Sequence, residues 1–228
     1  MTIYGLKNSI RKKVLIWISV VSLIIGNALF WLCNKALLCI YATYPIIKEF
    51  MDKWEYLGIF SAQITVVTTF GIITWIFNNY LWKTKAFLKI LGLPNLNGTW
   101  EGVLESTYKG EDGQYIKTDM TLTIKQTFEK MSCTSKFPKS ESFGDIICLD
   151  TESSEGVVLK FTYINKSYDM ECGMPQYPGF NELRLADSNT LSGKYFTQRI
   201  PSTHGTILLI RRNPSADIDE DVTSSPTS

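Results

Sequence analysis

Residues 92–108, GLPNLNGTWEGVLESTY, decide the fold. The stretch opens on turn-forming residues and then alternates apolar with polar side chains, the period of a β-strand. Trp100, Gly102, Leu104, Ser106 and Tyr108 fall on one side, with Glu101 and Glu105 on the other. The charged side belongs to solvent, so Trp100 faces a core. Everything upstream has a different character.

Residues 14–33 and 57–77 contain no charged side chain. Helices of that length reach about 30 Å, the thickness of a bilayer's hydrocarbon. Both are apolar all round, which argues against a buried soluble pair. A signal peptide is disfavoured for the first, because no small-x-small cleavage site follows. The flanks set the orientation. Lys7, Arg11, Lys12 and Lys13 precede the first helix, and Lys83, Lys85 and Lys89 follow the second. The positive-inside rule places both ends in the cytoplasm. The reading along the chain is a basic N-terminus (1–13), a transmembrane helix (14–33), a periplasmic loop (34–56) and a second transmembrane helix (57–77). A linker (78–95), a cytoplasmic barrel (96–212) and a disordered acidic tail (213–228) follow. Small and polar residues stripe both helices: Ser22 and Gly26 on the first, Ser61, Thr65 and Thr69 on the second. Such faces permit close helix approach. They serve packing within one hairpin, contact between protomers, or both.

Beyond residue 96 the pattern predicts eight short strands, at 97–108, 114–128, 130–138, 142–150, 156–165, 180–186, 190–199 and 204–212. Turn-like separators such as KGEDGQ, PKSE, TESSEG and YPG divide them. Short connections imply an antiparallel meander. Eight strands close most economically as an up-and-down barrel, with a two-sheet sandwich as the alternative. The expected fold is therefore a membrane-anchored all-β protein, two N-terminal transmembrane helices followed by an eight-stranded antiparallel barrel.

Alternation and strand direction together give the barrel a polarity. Trp100, Leu159 and Leu191 lie inside near the tethered end. Ser106, Tyr108, Ser135, Tyr163, Asn165, Tyr195, Thr197 and Arg199 lie inside toward the far end, and His204 opens the last strand near the same mouth. A half-polar cup with aromatics and an arginine suits a small aromatic, anionic ligand. Arg211 and Arg212 fall at the tethered end, where lipid headgroups are the expected contact.

Several classes are disfavoured. With 23 Lys+Arg against 22 Asp+Glu the chain has no bulk attraction for a nucleic acid polymer. One histidine, no paired inward carboxylates and no nucleophile motif give no support for a catalytic residue. The five cysteines match no zinc spacing, so neither a metal nor a cofactor is expected.

The order of LNGTWEGVLESTY, LTIKQTFEKMSCTSKFPKSES, LKFTYINK and LSGKYFTQR behind two apolar helices resembles the two-transmembrane β-barrel effectors of CBASS antiphage systems, also described as SMODS-associating β-strand-rich effectors. The resemblance covers about residues 10–212. It implies a multi-pass protein of the bacterial inner membrane whose cytoplasmic barrel senses a cyclic oligonucleotide. That regulatory ligand, a cyclic dinucleotide in the reading adopted here, is made by a CD-NTase encoded nearby. The resemblance further implies homo-oligomerisation on activation and disruption of the lipid bilayer, with cell death or arrest. NGTW also opens avidin-like barrels, so a passive membrane-tethered carrier of a small ligand stays open as the alternative.

Overall fold

The computed structural model describes residues 1–6, 8–43, 58–110, 112–168, 176–199 and 202–212. The chain divides into a helical unit, residues 7–87, and a β unit formed by residues 1–6 together with the chain from Leu88 onward.

The helical unit contains α1, Asn8–Thr43, and α2, Gly58–Asn79. By length and composition, Ser9–Ala36 is long and apolar enough to cross a bilayer. Its outer face keeps Leu15, Trp17, Ile24 and Trp31 exposed. The small residues bring the two helices together within one chain. A Cβ on Gly26 would lie 3.0 Å from the Val66 backbone and side chain. Ser22 is buried and turns its hydroxyl to the Ile18 carbonyl at 2.6 Å. Thr69 is buried as well, Thr65 is half-buried, and the Ser61 side chain lies outside the described residues. α1 runs ten residues past the expected helix end at 33, because Asn34–Thr43 holds no glycine or proline and the next breaker is Pro45. The expected linker is also helical in part: α3, Lys85–Leu91, is closed by Gly92 at φ 63° and the Leu93 N–H bonded to Leu88 O. Residues 44–56 of the expected loop, residue 57 of the expected second helix and all of the expected tail lie outside the described residues.

The β unit is an antiparallel barrel. Its strands are β1, Thr2–Ile3; β2, Gly98–Lys109; β3, Tyr115–Gln126; β4, Lys130–Phe137; β5, Ser140–Ser153; β6, Gly156–Ser167; β7, Gln176–Asp187; β8, Thr190–Thr197; and β9, His204–Arg211. Sheet neighbours run β1-β4-β3-β2-β9-β8-β7-β6-β5, and β4 pairs with β5, which closes the eight long strands on themselves. That closure excludes the sandwich. The expected strand limits shift by up to four residues, and two of the shifts bear on the site. β7 starts at Gln176, since Tyr177-Pro178-Gly179 is strand and not separator. Pro178 lacks a donor, but its carbonyl accepts the Gln198 N–H at 2.9 Å. β8 ends at Thr197, two residues short of the expected 199.

The Asn-Gly-Thr-Trp sequence is the barrel's lower closure. Gly98 has φ 131°, a backbone that side chains rarely adopt. Asn97 exchanges two hydrogen bonds with the Gln126 backbone, accepting its N–H at 2.6 Å and donating to its carbonyl at 2.9 Å. This extends the ladder past the end of β2 through a side chain. The buried Gln126 side chain accepts the Leu96 N–H at 2.8 Å. Trp100 is 0% exposed, and its indole donates to Leu96 O at 3.1 Å. Arg211 does not behave as a lipid-facing residue: its guanidinium lies 4.4 Å from the Trp100 ring centroid and donates to Asn95 O at 2.6 Å. Arg212 pairs with Glu101 at 2.9 Å. Leu122, Ile124, Met131, Leu149, Leu159, Leu183, Leu191 and Leu209 complete this apolar floor.

One strand was absent from the sequence reading. β1 pairs antiparallel with β4 (Thr2 opposite Met131, Ile3 opposite Lys130), and Gly5 bonds β5 through Ile147 O at 2.7 Å and the Leu149 N–H at 2.8 Å. Tyr4 is buried between them in sequence, 1% exposed. Nothing in TIYGL alternates long enough to announce a strand.

Cys133 sits in the barrel wall, where burial pushes its thiol pKa up to about 12. Only the thiolate alkylates, so Cys133 is expected to stay unmodified by iodoacetamide at pH 8 in the folded protein and to react once denatured. Peptide mass spectrometry checks this; modification at the rate of the exposed Cys148 would overturn it.

Candidate ligand-binding cavity

The barrel interior is solid below and open above. Inward positions form rows across neighbouring strands. Phe161, Asn181, Tyr195, Gly205 and Ser106 make one row through the β6–β7, β7–β8, β8–β9 and β2–β9 pairings. Above it, Tyr163, Gly179 and Thr197 are paired. A third row joins Leu122, Ser135, Ser142, Asn165 and Tyr177. Side chains fill the lower rows, and the upper ones line a cavity of about 560 Å³. That size lies within the usual range of about 300–1,000 Å³ for small-molecule sites.

Seven of the nine expected site residues line this cavity: Ser106, Tyr108, Tyr163, Asn165, Tyr195, Thr197 and Arg199. Their depths differ. Tyr195, Tyr163, Ser106 and Asn165 are buried, Thr197 is half-buried, and Tyr108 and Arg199 are exposed at the rim. Tyr108 follows a register irregularity between Glu105 and Lys109, which carries it outward from the strict inward line. Arg199 stands beyond the end of β8, its guanidinium 6.0 Å from the Tyr177 ring centroid. The turn bearing it is fastened by Thr197 and Thr203, whose hydroxyls lie 2.8 Å apart.

Ser135 and His204 stand elsewhere. Ser135 is inward and buried opposite Ser142, but it is not in the cavity wall. His204 faces the outside, stacked on Phe196 with ring centroids 6.5 Å apart. The reason is parity: Gly205 shares the inward row with Tyr195, so its neighbour must point out.

Twelve further lining residues were not among the expected site residues. Among them, Tyr177 was hidden in an apparent turn, Phe137 ends β4, Lys139 lies in the β4–β5 turn and Thr203 precedes β9. Turn positions show no periodicity, so only their closeness to the strand ends could have pointed to them. Two glycines also shape the wall. A Cβ on Gly179 would stand 2.2 Å from Tyr163 Cζ, and one on Gly205 would stand 2.8 Å from Tyr195 Cε1. Tyr163 and Tyr195 each lie across the glycine opposite them.

The electrostatics favour a bound anion. Lys117, Lys139 and Arg199 line the cavity with the single carboxylate Asp119. Lys117 is paired with Glu105 at 3.3 Å, whereas Lys139 and Arg199 have no carboxylate partner among the described residues. Burial raises the pKa of the Tyr163 phenol, and the neighbouring Tyr177 and Tyr195 add to the rise. Burial also raises Tyr177, against the opposing pull of Arg199. It raises Tyr195 although hydrogen bonds with Ser106 and Thr203 work the other way. All three therefore stay neutral at physiological pH and present O–H donors and aromatic faces. Among the described residues no cluster of His, Cys, Asp or Glu could hold a metal ion.

An antiparallel barrel with a packed floor and a polar, cation-rimmed mouth is a small-ligand receptor module. Residues 91–211 match the family model described as Cap15, cyclic dinucleotide receptor domain, and the chain belongs to that family. Two curated relatives, each named CD-NTase-associated protein 15, agree. The one from Yersinia aleksiciae is 28% identical over 142 residues, 62% of this chain and 66% of the relative. The one from Escherichia albertii is 27% identical over 167 residues, 69% of this chain and 83% of the relative.

Proposed function

We propose that this protein is a CBASS effector whose barrel takes a cyclic dinucleotide made by a partner nucleotidyltransferase. The observation that carries this reading is the cavity, with two cations at its rim that have no carboxylate partner among the described residues and three neutral tyrosines beneath, in a chain of the cyclic dinucleotide receptor family. Two phosphates call for cations and two bases for stacking surfaces, and the cavity supplies both. Ser106, Tyr108, Tyr163, Asn165, Tyr195, Thr197 and Arg199 are the proposed contacts. The finer reading is that α1 and α2 both span the bacterial inner membrane, with the barrel in the cytoplasm. Occupancy then drives self-association, and the helices breach the bilayer.

The test uses the full chain in lipid nanodiscs, melted with and without a panel of cyclic dinucleotides. A ligand held only by the folded state raises the melting temperature. Arg199→Ala with Tyr195→Ala should reduce affinity by at least about tenfold, the equivalent of about 1.4 kcal/mol. Liposomes carrying the protein should leak dye only when the ligand is added. Binding without leakage at any ligand concentration would leave a passive carrier as the better description.

A further inference from the structure

The cavity lining has two chemically distinct parts. The cations Lys139 and Arg199 are exposed at the rim. The buried wall of β5 and β6, in the upper row with Tyr177, holds no cation among the described residues. It holds Asn165, 3% exposed, whose amide nitrogen donates to Ser142 Oγ at 2.8 Å and to Ser140 Oγ at 3.1 Å. Both amide hydrogens are thereby used, the side chain is fixed, and its Oδ1 is buried with no partner among the described residues. An acceptor buried this way costs about 1–3 kcal/mol while it stays unmatched, so it calls for a ligand donor. A phosphate set against that oxygen would face an acceptor with no hydrogen to offer, so a base edge fits this wall better than an anion.

We infer that one nucleobase of the ligand lies against the β5–β6 wall: Asn165, held by Ser140 and Ser142, reads an N–H donor on it, while Lys139 and Arg199 hold the phosphates at the rim. This deepens the receptor reading proposed above and rests on it. Asn165 is then a specificity residue and Lys139 an affinity residue. The test measures dissociation constants of the full chain in nanodiscs for cyclic dinucleotides that share one linkage and differ only in base. Lys139→Ala should weaken every member by a similar factor and flatten the salt dependence. Asn165→Ala should compress the spread between the best and worst base by about tenfold, the worth of one well-formed hydrogen bond. Equal weakening of all ligands by Asn165→Ala, or an altered ranking in Lys139→Ala, overturns the assignment while leaving the receptor reading intact. Failure of the wild type to bind any member overturns both.

A separate observation concerns the seam between β4 and β5. These strands pair directly only from Thr134 and Phe143 to Phe137 and Ser140, and the β5–β6 register breaks between Gly144 and Ile147. The rest of the seam is bridged by residues 1–6, held by two residue pairs on β4 and, on β5, two backbone hydrogen bonds and one from the Thr2 hydroxyl. The tip of the same hairpin, with Phe137, Lys139, Ser140 and Ser142, lines the cavity. Lys7 alone separates this segment from α1 in the chain. We propose that β1 is a releasable strand: closure of the hairpin tip on the ligand spreads the seam and frees residues 1–6, passing occupancy to α1. Hydrogen exchange of the full chain reads it. Ligand should slow exchange in peptides covering 135–143 and speed it at least about fivefold at Gly5 and Leu149, whose amides bond across the seam. Protection at 135–143 with unchanged or slower exchange at the seam overturns the strand release alone. No change at 135–143 overturns the receptor reading with it.

Discussion

Replacing Trp100 with alanine is expected to destabilise the β unit by about 3–5 kcal/mol, the usual loss for a large aromatic deleted from a core. Three effects converge there. Trp100 is 0% exposed, so the whole ring volume becomes a cavity. The Leu96 carbonyl loses the indole donor that satisfies it at 3.1 Å. Arg211 loses the ring under its guanidinium, a contact worth about 0.5–2 kcal/mol. Since small domains hold only about 5–15 kcal/mol in all, the variant should unfold at a far lower urea concentration. Far-ultraviolet circular dichroism of the full chain in detergent measures it. Trp100→Phe keeps most of the packing and loses the donor, so it should fall between the two. An alanine variant within 1 kcal/mol of wild type would mean that the floor closes without Trp100.

The same residue explains why so much of the fold was legible. Trp100, Leu159 and Leu191 each lie inward in strands whose outward positions include charged residues, Glu101 and Glu105, Lys160, and Lys194. One buried face fixes both strand identity and register, because a slip by one residue would turn the entire set outward. The barrel, its strand order and its apolar-to-polar axis follow from that pattern. What escaped had no periodic signature. β1 is two residues long and borrows its order from β4 and β5. Arg211 looks like a membrane-surface cation until the Trp100 ring and the Asn95 carbonyl are placed beside it. Asn97 and Gln126 replace part of a ladder by side chains, which no propensity anticipates.

The cavity follows the same division. Of its buried members, Tyr163, Asn165, Tyr195 and Ser106 occupy strand positions and were readable by parity, while Ser142 was not among the expected site residues. His204 was assigned by nearness to the mouth, and parity puts it outside on Phe196. Tyr177 lay within a Tyr-Pro-Gly sequence that looks like a turn, yet the proline occupies a strand whose carbonyl still finds a donor in Gln198. The rim residues Lys139 and Thr203 sit where the chain reverses, and only tertiary closure shows which way they face.

Gly179→Ala is expected to distort the cavity from the wall side, because the added methyl has nowhere to go. Its Cβ would fall 2.2 Å from Tyr163 Cζ and 2.4 Å from the phenolic oxygen. The backbone of β7 is pinned by its pairing with β6 and β8, so the ring must move. Tyr163 lines the cavity, and displacement away from the wall carries its ring into the space a ligand would fill. Overpacking of this kind costs about 1–3 kcal/mol in stability. Affinity for a cyclic dinucleotide should fall by at least about tenfold in the same variant. The two effects share one cause, which a double-mutant cycle isolates. Tyr163→Ala removes the obstructing ring, so adding Gly179→Ala to it should cause little further loss of stability. Urea unfolding of the four proteins gives the coupling, and strict additivity would show that Tyr163 does not rest on Gly179 in solution. Gly205→Ala is the harsher comparison. Its Cβ would meet the Glu105 carbonyl oxygen, a backbone atom of the β2–β9 ladder, and removing the Tyr195 ring should therefore fail to rescue it.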